Sequence, residues 1–370
     1  MSGERRTIPF VALGKQFESE RTELMPRIEA VLASGVWILG PEVEALEDEL
    51  AIYCGTKHAV TLSSGTEALN FAIEIMGIGK GDEVITPPNS FVSSTSCIVR
   101  AGATPVFADV RNDELIDPAA VEAAITPRTK AIMAVHLRGA VCNMTALSHI
   151  AAKHGIPLIE DAAQAIGSAL GHVRTGALGD MGCFSAHPLK LLNGSGDCGF
   201  VTTNDSNAAA KMKRMRNVGL ADRDTVTEWA SVARLDALQA AILRVRLKRL
   251  DGVIAVRRRN AMQYLDGLKA TALRLPHTRP NEFHSYNTFT VQSDNRDELQ
   301  KMLIDSGVDT KIHYPIPLHL QPVASRLGYR KGQFPVTERL AGTILSLPVH
   351  QFLSYDDIDY VVDRIRSFFH

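Results

Sequence analysis

The sequence predicts an α/β fold: a large, mainly parallel sheet of the seven-stranded type with helices on both faces, plus a smaller C-terminal α/β domain. Three observations predict it. Short β-branched runs alternate with helical patterns through the first two-thirds of the 370 residues, as buried parallel strands joined by helices do. From about Ser231 the texture changes to some thirty residues of helical apolar spacing without a strand signal. A second, shorter strand–helix series follows. The length prior of roughly 150 residues per domain agrees with one large and one smaller unit. They are expected over 1–250, with the N-terminal segment, and 251–370, and the smaller unit can also pack that segment.

The elements follow in order. "HAVTLS" (58–63) reads as a strand and "TEALNFAIEIMG" as the helix after it. "DEVITPP" (82–88) is the next strand, and "SFVSSTSCIVRAG" is a helix ending at Gly102. "TPVFADV", "KAIMAVHL" and "IPLIEDA" are strands, with helices at about 118–125 and 144–154 between some of them. The block from "MGCFSA" to "GFVTTND" supplies further short strands. "RLDALQAAILRVRLKRLDGVIAVRRRNAMQYLDGL" is a long amphipathic connecting helix whose arginines read as a solvated face. "SYNTFTVQS", "RDELQKMLIDSG" and "VDTKIHYP" give strand, helix and strand, and "SYDDIDYVVDRIRSFF" is a closing amphipathic helix.

Composition narrows the functional classes. Hydrophobic residues at 45% and charged residues at 22% are ordinary for a soluble globular protein with a large core. Lys plus Arg total 40 against 41 Asp plus Glu, so no global field selects nucleic acid or an anionic membrane. Five widely spaced cysteines without a CxxC pair read as reduced, mostly buried thiols, and no metal-ligand set is seen. The apolar run "IPFVAL" near the N-terminus is too short for a signal segment, and no stretch approaches the ~20 apolar residues of a membrane span. A cytoplasmic location is expected.

"GIGKGDE" (77–83) ends a helix and precedes a strand, so it is a C-cap and turn, not a dinucleotide fingerprint. "TLSSGTEALN" has strand, small polar turn and helix in the order a phosphate site needs. Ser64, Gly65 and Thr66 put N–H groups and hydroxyls at a helix N-terminus. Plain N-capping, with Glu67 in the first turn, accounts for the same residues. "PLIEDAAQAIGS" ends a strand in Glu160 and Asp161, whose side chains point to opposite sides, so they are not an acid–base pair. Asp161 would sit at the carboxyl end of the sheet, where open parallel sheets bind ligands; a capping aspartate is the structural alternative. Lys190, in "CFSAHPLKLLNGSGDCGF", lies between apolar residues that favour burial. A desolvated lysine has a lowered pKa and becomes a nucleophile toward aldehydes, whereas a snorkelling surface lysine needs no chemistry.

A phosphate cradle, a strand-end aspartate and a later buried lysine, in this order, match the three anchors of pyridoxal 5'-phosphate (PLP). With them, the sequence resembles the DegT/DnrJ/StrS family of sugar aminotransferases, PLP enzymes of fold type I. The resemblance runs through "SSGTEAL", "PPNSFVSS", "EDAAQAIGS", "FSAHPLK", "RLDALQAAI" and "KIHYPIPLHLQP", nearly the whole chain. It implies that Lys190 joins the PLP aldehyde and later shuttles a proton between the donor's α-carbon and the cofactor. Asp161 would pair with the pyridine nitrogen, and Ser64, Gly65, Thr66 and Ser185 would hold the phosphate. Phe91 and Ala163 would cover the two ring faces, with Gln164 near the phenolic oxygen. Family dehydratases carry histidine where Lys190 stands, so transamination is implied: glutamate as donor, pyridoxamine 5'-phosphate as intermediate, and a nucleotide-linked keto-sugar aminated at C3 as acceptor. A homodimer with shared active sites is also implied. His313, Tyr314 and His319 would line the sugar site, and Arg138 or Arg234 would contact an anionic substrate group, a surface or intersubunit ion pair being the alternative. Three departures stand out, the first being Arg138 in "VHLRG", where an aromatic is common. "WASVARLD" puts Ala230 and Val232 where the family has glycine and a phosphate-binding asparagine, and the exit "KLLNGSGDCG" differs from the usual pattern. Competing readings are a cyclitol ketone as acceptor, or a catalytically silent sensor or partner protein on the same fold.

Overall fold

The structure, a computed structural model, describes residues 6–369. Seven strands form the main sheet: β1 (His58–Leu62), β2 (Glu83–Thr86), β3 (Thr104–Phe107), β4 (Thr129–Val135), β5 (Leu158–Asp161), β6 (Met181–Ser185) and β7 (Gly199–Thr203). Their spatial order is β1-β7-β6-β5-β4-β2-β3. The pairs β3–β2, β2–β4, β4–β5 and β5–β6 are parallel. β7 runs antiparallel to both β6 and β1. The cause is local: parallel neighbours need a crossover of a dozen or more residues, usually a helix. The chain between β6 and β7 is loop and turn throughout. It therefore turns back at the carboxyl end of β6, and that loop carries Lys190.

Helices α1 (Leu13–Ser34), α2 (Pro41–Cys54), α3 (Gly65–Ile75), α4 (Ser93–Arg100), α5 (Pro118–Ala124), α6 (Met144–His154), α7 (Ser206–Met215) and α8 (Ala237–Leu268) surround the sheet. Strand alternation divides the core between its faces. Met133 and Ile159 pack with Leu69, Cys97 and Met212 of α3, α4 and α7. Their neighbours Ile132, Ala134 and Leu158 face the other way, onto Val121 of α5 and Leu147 of α6. At the far end Phe184 and Phe200 stack, centroids 4.5 Å apart, beneath α2 and the first half of α8.

The second core gathers around β8 (Phe289–Gln292) and β9 (Ile344–Leu347), an antiparallel pair, with α9 (Arg296–Asp305), α10 (Pro335–Thr343) and α11 (Tyr355–Phe369) nearby. The expected boundary at 250 falls inside one uninterrupted helix. In α8, Leu243, Leu247 and Leu250 belong to the first core, and Ala261, Tyr264 and Leu268 to the second. Ile8 of the N-terminal segment also packs in the second core, bridging Val308; residues 1–5 of that segment lie outside the described residues.

Two expectations need correction. "VDTKIHYP" is not a strand but holds only isolated bridges, Val308 to Ile8 and Lys311 to Ser346. Pro315, the last residue of the stretch, and Pro317 just beyond lack the N–H a ladder needs. The arginines of α8 are not a solvated face. Arg244 pairs with Glu42 and Glu49, Arg246 with Glu20, and Arg258 donates to the His284 carbonyl. The basic stripe is the glue between α8, the N-terminal helices and the smaller domain.

Candidate active site

A cavity of about 460 Å³ opens where the carboxyl ends of β1, β5 and β6 face the smaller domain. Ser64, Gly65 and Thr66 enter it from the turn after β1, and Ser185 from the end of β6. Ser64 caps α3: its hydroxyl accepts from the Glu67 N–H at 3.1 Å. The capping expected of these residues is therefore real, and the cradle is built on it. A Cβ added at Gly65 would stand 2.5 Å from Ser185 Cβ, and one at Gly199 would stand 2.3 Å from the Ser64 backbone. Both glycines allow the α3 N-terminus to approach the β6–β7 turn closely. Gly199 thereby explains part of the glycine-rich exit that departs from the family pattern.

The carboxylates of β5 separate as expected. Glu160 accepts from the N–H groups of Gly176, Leu178 and Gly179 at 2.8, 2.8 and 2.7 Å and meets His136 Nε2 at 3.0 Å. The Cys142 N–H donates to His136 Nδ1 at 3.1 Å, so the ring proton sits on Nε2 and points at Glu160. Asp161 faces the cavity. Ser94 Oγ donates to its Oδ2 at 2.6 Å and the Ala163 N–H to Oδ1 at 3.3 Å. Burial pushes the Asp161 pKa above the ordinary carboxylate value, with these donors and Lys190 pulling the other way.

Lys190 lines the same cavity, and its backbone N–H closes a turn onto the His187 carbonyl at 2.9 Å. The company is apolar on one side only: Phe184, Leu191 and Leu192 are buried, whereas Leu189 is 50% exposed. Burial lowers the Lys190 pKa to about 8, Asp161 opposing. Among the described residues no carboxylate lies within ion-pair distance of its amine. An unpaired, desolvated amine facing a carboxylate across a cavity is poised for chemistry rather than for stability.

The remaining expected residues divide. Phe91, Ala163, Gln164, His313 and Tyr314 line the cavity. Gln164 is fixed at both ends of its amide: Oε1 accepts from the Arg138 N–H at 2.8 Å, and Nε2 donates to Tyr314 Oη at 3.2 Å. Phe91 and Tyr314 lie 6.0 Å apart, centroid to centroid. His319 is elsewhere, meeting Glu338 at 3.1 Å beside Phe107 and Phe334. Arg234 binds Asn217 Oδ1 at 2.9 Å, outside the cavity lining. Arg138 is neither at the surface nor in the cavity lining: its buried guanidinium pairs with Glu114 and reaches Thr290 and the His313 carbonyl at 2.6 Å each. Behind it lies a larger polar cleft of about 920 Å³. Its charges neutralise one another through Arg138–Glu114, Arg279–Glu282 and Arg274–Asp294. Val232, in the family's asparagine position, is 61% exposed and contributes nothing to this cavity.

Several lining residues were not anticipated: His136, Asn287, Arg257 and Phe10. Ser94 stood inside the quoted "PPNSFVSS", but three serines in one stretch gave no sign of which would reach Asp161. Arg257 was one of three consecutive arginines on a helix whose register toward the site is set by tertiary packing.

The donor set fits PLP. A lysine amine, a carboxylate backed by two hydrogen-bond donors, and hydroxyls with backbone N–H groups at a helix start match an aldehyde, a pyridine nitrogen and a phosphate. The Gly65 cradle, which one Cβ would fill, is the shape such a phosphate needs.

Comparisons with known proteins agree. The profile of the DegT/DnrJ/EryC1/StrS aminotransferase family matches residues 18–366. The erythromycin biosynthesis sensory transduction protein EryC1 of Saccharopolyspora erythraea is 41% identical, covering 97% of this chain and 99% of its own. The dTDP-3-amino-3,4,6-trideoxy-alpha-D-glucose transaminase of Streptomyces venezuelae is 40% identical over 98% of this chain and 97% of its own. The crystal structure of S. venezuelae DesV in complex with a ketimine intermediate superposes with a TM-score of 0.96 at 40% identity, covering 98% of each chain.

Proposed function

We propose a reaction for this chain, which belongs to the DegT/DnrJ/EryC1/StrS aminotransferase family and uses PLP: it moves an amino group from glutamate to C3 of a nucleotide-linked keto-sugar. One observation carries the reading: Lys190, Asp161 and the Ser64–Thr66 cradle converge on a single cavity. When bound there, PLP supplies an electron sink that makes an amine's α-carbon acidic. Lys190 Nζ, with its pKa lowered to about 8, holds a substantial neutral fraction near physiological pH and takes and returns the proton at that carbon. Asp161 holds a proton on the ring nitrogen, its own orientation fixed by Ser94 and Ala163. Gln164 and Tyr314, tied to each other, position the group between the two domains. The C3 position and the nucleotide link are supported by the name of the S. venezuelae relative, a dTDP-3-amino sugar transaminase.

The enzyme works in the cytoplasm as a homodimer with active sites at the interface. Exposed apolar groups support the dimer: Trp229 is 96% exposed, Val232 61% and Trp37 57%. No helix among the described residues is long and apolar enough to cross a membrane.

The test is isotopic. Protein loaded with PLP is given ¹⁵N-glutamate and dTDP- or UDP-linked 3-keto sugars, and the product is read by NMR. Label on sugar C3 is expected. No label on the sugar, with label instead on a cyclitol ketone supplied in a parallel reaction, or label at another sugar carbon, would overturn the acceptor assignment.

A further inference from the structure

Arg257 stands apart from the other arginines of α8. Arg244 and Arg246 have carboxylate partners, Arg258 lies 4.1 Å over the Phe283 ring, and Arg259 lies 4.6 Å over the Tyr355 ring. Arg249 donates to the Ser19 carbonyl in an exposed hydrogen bond, outside the active-site cavity. Arg257 likewise has no carboxylate or ring partner among the described residues, but it lies at the cavity. Its Nη1 donates to the Asn287 carbonyl at 3.1 Å, and its buried Nε has no partner among the described residues. It lines the active-site cavity together with Lys190, and both also border a small recess beside His350. Burial alone, with no carboxylate opposing it, lowers its pKa to about 10, so it remains a cation at neutral pH. A guanidinium held at a cavity wall without a counter-ion is costly unless a ligand supplies one.

We infer that Arg257 receives the carboxylate adjacent to the reacting carbon of the amino donor. The inference rests on the transamination proposed above and assigns the donor half of that site. Three anions come to such a cavity: the cofactor phosphate, the nucleotide's phosphates and the donor's carboxylates. The cofactor phosphate has its own donors in Ser64, Gly65, Thr66 and Ser185, all from the large domain. Arg257 instead adjoins Asn287, next to Thr288 and His313 on the smaller-domain wall. The sugar's phosphates hang from C1, several bonds from a ketone at C3. The α-carboxylate is one bond from the carbon whose proton Lys190 takes. Among the described residues lining the cavity Arg257 is the only arginine, and its planar fork suits a bidentate carboxylate.

The test compares wild type with Arg257→Gln and Arg257→Lys, all loaded with PLP. Calorimetry with glutarate, a dicarboxylate without an amine, reads binding directly. Stopped-flow absorbance reads the half-saturating glutamate concentration, and dialysis reads cofactor retention. For Arg257→Gln, glutarate affinity should fall at least thirtyfold and half-saturating glutamate should rise as much. Cofactor retention and the half-saturating keto-sugar concentration should stay within twofold. Arg257→Lys should fall between, and it carries the comparison if the glutamine variant does not fold. Unchanged glutarate and glutamate values would overturn the inference. So would a selective loss of cofactor, which would place Arg257 on its phosphate, or of keto-sugar, which would place it on the nucleotide. If wild type binds glutarate through Arg257 but transfers nothing from glutamate, the proposed function fails and the carboxylate site stands.

Discussion

A lysine whose pKa is held at about 8 costs the folded protein stability. The unfolded chain keeps the ordinary value of 10.5, so below pH 8 both states are protonated and the penalty is fully present. Between pH 8 and 10.5 the unfolded chain binds the proton that the folded one has lost, so stability rises with pH. The shift corresponds to at most roughly 3 kcal/mol, less whatever solvent at the cavity mouth screens. Cofactor-free Lys190→Met should therefore be more stable than wild type at pH 7 in urea denaturation, with the gap closing toward pH 10. A gap independent of pH would mean that Lys190 carries no desolvation penalty. Both groups could be picked out in the sequence, Asp161 by its place at the carboxyl end of a strand and Lys190 by its apolar neighbours. His136 was not. Its partners, Cys142 and Glu160, come together only once β4 and β5 pair in register.

At the scale of elements, the turn between β6 and β7 does most to build the site. It puts Ser185 and Lys190 at the sheet's carboxyl edge and brings Gly199 under the α3 N-terminus. Gly65→Ala should destabilise the protein by about 1–3 kcal/mol through overpacking against Ser185 and lower PLP retention on dialysis. Unchanged stability and retention would mean that the two turns do not need their close approach. The strands and helices of the large domain could be read because each buries a simple periodic pattern on a defined face. The direction of β7, the loss of a strand over 308–315 and the ion-paired stripe of α8 could not. The direction of β7 follows from a turn whose lack of a helix had to be seen, and the other two depend on partners distant in the chain: Ile8 and Ser346, or Glu20, Glu42 and Glu49. His319 illustrates the same limit. It follows Tyr314 closely in sequence, but its side chain turns into the Phe107–Phe334 cluster.

At the scale of the molecule, the site is a seam between two cores threaded by one helix. α8 packs Leu243 into the first core and Tyr264 into the second, and Arg257 projects from the stretch between them. Such a seam can bind a donor from one wall and a cofactor from the other. Trp229 is 96% exposed although its neighbours Ala230 and Ala233 pack on the first core, so the proposed second copy would cover its indole. Sedimentation should find a dimer, with Trp229→Ser shifting it toward monomer; a wild-type monomer at micromolar concentration would remove the interface from the mechanism. The most direct test of transamination at Lys190 is single-turnover absorbance. PLP-loaded protein mixed with glutamate alone should lose its visible band and release one 2-oxoglutarate per site. Asp161→Asn should slow this about a hundredfold, and Lys190→Ala should abolish it. A visible band unmoved by glutamate, or equal turnover by Lys190→Ala, would contradict it.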